Sequence, residues 1–195
     1  MLSNRRPMTA PEFAAFLQAR ENRWELFNGQ PVMMAPTTQR HADIVANTLA
    51  SLHRQLRGTG YRATCSSTGV RVGAGTIRYP DLVVDRGPRV DLAMYATAPA
   101  LVIEILSPAR DPFDMHLRLL EYRAVPDIAS ILLIDPEAPR AIIHRRNDPG
   151  WSDRICSGAD QVVEISEIGA VLALGDVYAG LELSHRVDGI RGSRC

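Results

Sequence analysis

Residues 100–107, ALVIEILS, are the part of the chain that most limits what it can become. The run is far too short to cross a membrane, and its length suits a strand buried on both faces of a sheet. One residue breaks it, Glu104. Next comes FDMHLRLLEYRAV, residues 113–125, which reads as a helix with Phe113, Leu117, Leu120 and Ala124 on one face. A second buried strand follows in IASILLID, stopped by Pro136. Strand, helix and strand in that order form a crossover between parallel neighbours. The expected class is therefore α/β, with a mixed sheet flanked by helices.

The remaining segments fit around this unit. Residues 1–8 read as a flexible tail, and residues 9–195 as a single domain. Thr9 and Glu12 make a T-x-x-E capping box with Pro11 in the first turn, so a helix should carry Phe13, Phe16 and Leu17 inward. Asn28-Gly29 between two apolar runs predicts a hairpin. Ala42, Val45, Leu49, Leu52 and Leu56 recur at helical spacing, and Gly58 ends the pattern. A glycine-punctuated β stretch fills residues 61–85. The segments AIIHRR, DRICS, QVVEI and AVLAL make a β-rich C-terminal part, and DVYAGL reads as a short closing helix.

Composition removes several chemistries. All 22 basic residues are arginine and none is lysine. A Schiff base, a P-loop lysine and a lysine general base are excluded. Every arginine is a permanent cation. The 22 acidic residues balance the charge to zero, which argues against a protein that coats nucleic acid while leaving room for a local basic cleft. Cys65, Cys156 and Cys195 form no CxxC pair, so neither a zinc site nor a disulfide framework is indicated. No apolar run approaches a membrane span and no signal core opens the chain, so the expected setting is the cytoplasm, away from membranes. Ser107 lacks a G-x-S-x-G context, and GVRVGAG lacks the helix that a phosphate cradle needs. His116, His144 and His185 show no metal-ligand spacing, and Trp24 and Trp151 read as packing residues.

Glu104 carries the most chemical information. An unpaired carboxylate among Leu101, Val102, Ile103, Ile105 and Leu106 would cost several kcal/mol. A chain accepts such a residue when it is ion-paired, metal-bound or at the strand's wet end, and Pro108 shows that the end is near. Asp81, directly after Pro80 in RYPDLVVD, stands at the entry of another strand. Two carboxylates on neighbouring strands can converge on a divalent cation, and Mg²⁺ takes only one or two protein carboxylates. Asp85 and Asp135 read as strand-end residues.

Taken in order, PD-x-V-V at 80–84, V-I-E-I-L-S-P at 102–108, D-x-x-x-R-x-x-x-Y from Asp114 to Tyr122 and I-L-L-I-D-P at 131–136 resemble the Uma2 family. W-E-L-x-x-G at 24–29 and the helix near His41 fit the same pattern, so the resemblance spans roughly residues 10 to 180. These are restriction-endonuclease-like proteins within the PD-(D/E)XK nuclease superfamily. The resemblance implies a nuclease core with central carboxylates that bind Mg²⁺ or Mn²⁺. By position, Asp81 and Glu104 match the family's two acidic residues. Glu25 matches an N-terminal glutamate that reaches the same metal, and His41 a helix histidine close to it.

Arg118 departs from the family pattern. It occupies the helix position at which these proteins carry their signature lysine, four residues before Tyr122, while Leu106 fills the E-x-K strand position. Asp114, Arg118 and Tyr122 lie on one helix face and are expected to line the site. An arginine supplies charge and forks onto phosphate oxygens, but it does not deprotonate water. The expected activity is a metal-dependent endonuclease that hydrolyses DNA phosphodiester bonds, with Arg118 as phosphate clamp. The rival expectation is a nuclease-fold protein without catalysis that binds DNA or protein. DNA contacts from Arg54, Arg57, Arg110, Arg145 and Arg146 are open alongside plain surface charge, and a homodimer joined at exposed β edges would serve two-strand cleavage.

Overall fold

A computed structural model describes residues 6–107 and 112–182. Arg110, His185 and Cys195 lie outside the described residues. The first helix, α1 (Ala10–Gln18), begins at the expected capping box, and Phe13 is fully buried. Just before it, Met8 donates its backbone N–H to Gly29 O at 2.8 Å. The hairpin of β1 (Trp24–Phe27) and β2 (Gln30–Met33) turns at Asn28 and Gly29, whose φ angles of 48° and 74° suit the predicted Asn-Gly turn. Thr38 caps α2 (Gln39–Gln55), and its hydroxyl accepts from His41 N at 3.2 Å.

Two sheets share the β stretch. β1 and β2 join β4 (Val70–Gly73) and β5 (Thr76–Arg78) in the order β2-β1-β5-β4. The larger sheet uses β3 (Arg62–Cys65), β6 (Leu82–Asp85), β7 (Pro99–Ile105), β8 (Ser130–Ile134), β9 (Arg140–Arg146) and β10 (Trp151–Ser157). Its order is β10-β9-β8-β7-β6-β3. All neighbours are antiparallel except β7 and β8, which run parallel and are joined through α3 (Pro112–Ala124). The predicted crossover is therefore present. A small ladder of β11 (Val162–Ile165) and β12 (Ala170–Ala173) and a single turn, α4 (Leu174–Val177), complete the described chain.

Every residue of β7, β6 and β8 is buried, as a central strand triplet covered on both faces requires. Alternation along β7 sends Leu101, Ile103 and Ile105 to one core beside Ile44 and Leu52 of α2. Val102 goes to the other core, with Tyr122, Ile131 and Leu133.

Helix α3 is rotated from its expected face, whereas α2 keeps its own apart from Ala42, with Leu52 and Leu56 buried and Val45 and Leu49 packed against the core. On α3, Phe113 is 70% exposed and Leu120 50%, whereas Arg118 is 5% exposed and Tyr122 fully buried. The helix thus turns its Arg118–Tyr122 side to the sheet, where Arg118 meets the carboxylates while Met115, Leu119 and Tyr122 pack against the core. On α2 the buried positions are His41, Ile44, Thr48, Ser51 and Leu52, and Ala42 faces outward. No helix among the described residues is long and apolar enough to cross a membrane.

Candidate functional site

The site forms where the ends of β6 and β7 meet α2, α3 and the hairpin sheet. Register explains the placement of the two strand acids. Leu82 stands opposite Ile103, so Asp81 sits one step beyond that pair, level with Glu104 on the neighbouring strand. Asp81 Oδ2 accepts from Ile105 N at 2.8 Å, and Oδ1 lies 2.9 Å from His41 Nε2. Both side chains are buried. The first turn of α2 and the backbone of β7 therefore fix one carboxylate from two sides.

Glu104 is 1% exposed. Its Oε1 accepts from the Tyr122 hydroxyl at 2.7 Å and from Arg118 Nη1 at 3.4 Å. Burial, and then the nearby Glu104 charge, push the Tyr122 phenol well above its ordinary pKa, so it remains a proton donor. Of the situations that admit a carboxylate to an apolar strand, ion pairing to an arginine is present here.

Glu25 reaches the same place from β1. Its Oε1 accepts from Tyr79 N at 2.9 Å and Arg118 Nη1 at 2.9 Å, and its Oε2 accepts from Arg118 Nη2 at 2.6 Å and Arg78 Nη1 at 3.2 Å. An ionised carboxylate offers about four acceptor positions, and all are taken. Glu25 thus holds two guanidinium groups rather than presenting free oxygens.

Arg118 is bound from three directions. Its fork closes on Glu25, Nη1 also reaches Glu104, and Nε donates to Asp114 Oδ2 at 2.9 Å. Burial alone would favour the neutral guanidine, but Glu104 and Glu25 outweigh it and hold the pKa above its already high value. Asp114 shares the helix face of Arg118 and stands at the rim of the cluster, where it is about a third exposed.

Arg78 was not picked out by any motif. It is 4% exposed, grips both oxygens of Glu121 at 2.7 and 3.1 Å, and lies over the Phe27 ring at 4.9 Å. The chain Glu121–Arg78–Glu25–Arg118–Glu104–Tyr122 therefore fastens α3 to three strands. No local cue marks Arg78, because its partners are 53 and 43 positions away in sequence.

Several other candidates have structural partners elsewhere. Arg146 donates to the carbonyls of Ile128, Arg123 and Val125, closing the end of α3, and lies 4.6 Å over the Trp151 ring. Arg145 pairs with Glu167 at 3.2 Å. His144 lies 2.5 Å from Asp153 Oδ1, and Trp24 packs edge-on against Phe16. Asp85 accepts from the backbone of Gly87, Thr97 and Ala98 and from Arg62, tying down the loop that follows β6. Arg54 and Arg57 are exposed on and just beyond α2. No group of three or more His, Cys, Asp or Glu arranged to hold a metal ion occurs among the described residues.

A solved structure shares this architecture. It is titled a "putative nuclease belonging to DUF820" from Anabaena variabilis, with a TM-score of 0.72. At 22% identity, with 88% of this chain and 97% of that one covered, the likeness is one of fold. The mixed sheet, its single parallel crossover and its buried acids thus define an α/β protein similar to a nuclease fold. An uncharacterized protein of Synechocystis sp. is 25% identical over 180 residues, covering 90% of this chain and 94% of its own. The chain belongs to the Uma2 family, described as "Putative restriction endonuclease", whose pattern matches residues 10–175.

Proposed function

We propose that the protein is an endodeoxyribonuclease that uses Mg²⁺ or Mn²⁺ held by Asp81 and Glu104. The observation that carries this reading is the buried charge. Three buried carboxylates, Glu25, Asp81 and Glu104, face two buried guanidinium groups, Arg78 and Arg118, with Asp114 and Glu121 adding acid at the rim. An excess of hard oxygen donors on adjacent strands fits a divalent cation that needs only one or two protein carboxylates. That requirement also explains why a three-residue ligand group is not needed here. Membership of the Uma2 family supports hydrolysis of nucleic acid as the reaction class.

When bound, the metal would activate water and stabilise charge on the phosphate. The chain's own residues do the rest. His41 and the Ile105 N–H hold Asp81 in place, and the Tyr122 hydroxyl holds Glu104. Glu25 seats Arg118 in the free protein, and Arg118 is the positive charge offered to the scissile phosphate. Because Arg118 keeps its proton, it orients and neutralises rather than accepting a proton from water.

The test is plasmid nicking by purified protein with each metal. Cleavage is expected with Mg²⁺ or Mn²⁺ and is expected to be lost in Glu104→Ala. Cleavage that survives this substitution sinks the assignment. One observation favours a second reading, a DNA- or protein-binding module without catalysis: Arg118 is already bound to Glu25, Glu104 and Asp114. That reading expects metal-independent retardation of DNA in a gel, no nicking by wild type, and cleavage gained in Arg118→Lys.

A further inference from the structure

We propose that Arg118 is a resident cation that fills the acidic pocket in place of a divalent metal, and that it must turn away from Glu104 before metal binds. This rests on the reading that Asp81 and Glu104 hold the metal. The guanidinium sits inside the protein with its fork on Glu25 and Nη1 3.4 Å from the same Glu104 oxygen that Tyr122 holds. A divalent ion on Glu104 would stand within a few ångströms of this charge, in surroundings that screen repulsion poorly. A lysine could withdraw along a flexible stem, whereas arginine is pinned by a planar two-bond fork.

Glu25 has donors besides Arg118. Glu25 keeps Arg78 at 3.2 Å and the Tyr79 N–H at 2.9 Å when Arg118 leaves. Arg78, itself gripped by Glu121, still leaves Glu25 one guanidinium donor beside the Tyr79 N–H. Asp114, the third partner, stands at the rim, about a third exposed. A phosphodiester offers the same two-oxygen acceptor as Glu25. Phosphate and metal binding are therefore expected to be cooperative: an anion that draws Arg118 away would let Glu104 serve as a metal ligand. Free protein binds metal weakly.

Calorimetric titration with Mn²⁺ tests this in the full chain. Arg118→Gln keeps donors for Glu25 and removes the charge, and it is expected to bind Mn²⁺ at least about tenfold tighter than wild type. The gain is expected to vanish in Arg118→Gln/Glu104→Gln. Equal, Glu104-dependent affinities in wild type and Arg118→Gln overturn the resident cation and leave the metal reading standing. No Mn²⁺ binding by any form, folded by circular dichroism, overturns both. If Arg118→Gln fails to fold, wild type is titrated with and without a short phosphorothioate duplex. The duplex is expected to tighten Mn²⁺ binding by about tenfold, within the usual range of site coupling. An unchanged affinity then overturns the proposal.

Discussion

Glu25 is the residue on which the buried charges depend. It joins two arginines that share no other bridging carboxylate of equal burial. Removing one partner of a buried ion pair strands the other charge, at about 3–5 kcal/mol. Glu25→Ala is expected to lose stability of that order, read from the urea midpoint, while Glu25→Gln loses less because its carbonyl still accepts. Asp85 makes a pH prediction. Burial raises its pKa, but N–H donors from Gly87, Ala98 and Thr97, with Arg62, bring the net value below the ordinary one. A lowered folded pKa gives stability that is complete above the unfolded value of about 4 and is lost as pH falls through the folded value. The stability gap between wild type and Asp85→Asn is therefore expected to narrow as pH drops below about 4. A gap constant across that range would contradict the assignment.

At the scale of elements, α3 decides the site. Its inward stripe of Asp114, Arg118 and Tyr122 is polar at every turn, so apolar packing alone does not set its rotation. Ion pairs to β1 and β7 hold one side of it. Arg146 of β9 holds its C-terminal end, where carbonyls lack helical partners. Arg146→Ala is expected to cost about 1–3 kcal/mol through these lost acceptor bonds. Faster amide exchange in residues 122–128 would localise the effect, and unchanged exchange there would refute it. The strands show the converse case. Central β7 and β8 were legible because burial on both faces writes a continuous apolar run.

The whole molecule carries no net charge. Long-range attraction to DNA is therefore weak, and the proposed binding rests on local cations. Affinity for a duplex is expected to fall as salt rises from roughly 50 to 200 mM, with a slope that counts the phosphates contacted. A flat response would remove phosphate contact from the proposed function.

The sequence by itself determined the elements and their chemistry. Capping residues, the Asn-Gly turn and buried runs are local signals, and they placed α1, the hairpin and the β7–α3–β8 crossover. A lone acid in apolar company marked Glu104, since a buried charge is too costly to be incidental, while Asp81 was marked by its place after Pro80 at a strand entry and by the family pattern. Only the tertiary structure decided which charges meet. Arg118 and Glu25 lie 93 positions apart, so their pairing follows from topology rather than periodicity. The same holds for Arg78, for the rotation of α3 that exposes Phe113, and for Glu25 giving every acceptor position to donors of the protein itself. Local sequence encodes which backbone shape each segment prefers; the fold alone brings distant charges within bonding reach, where a poorly screened interior makes each pairing count.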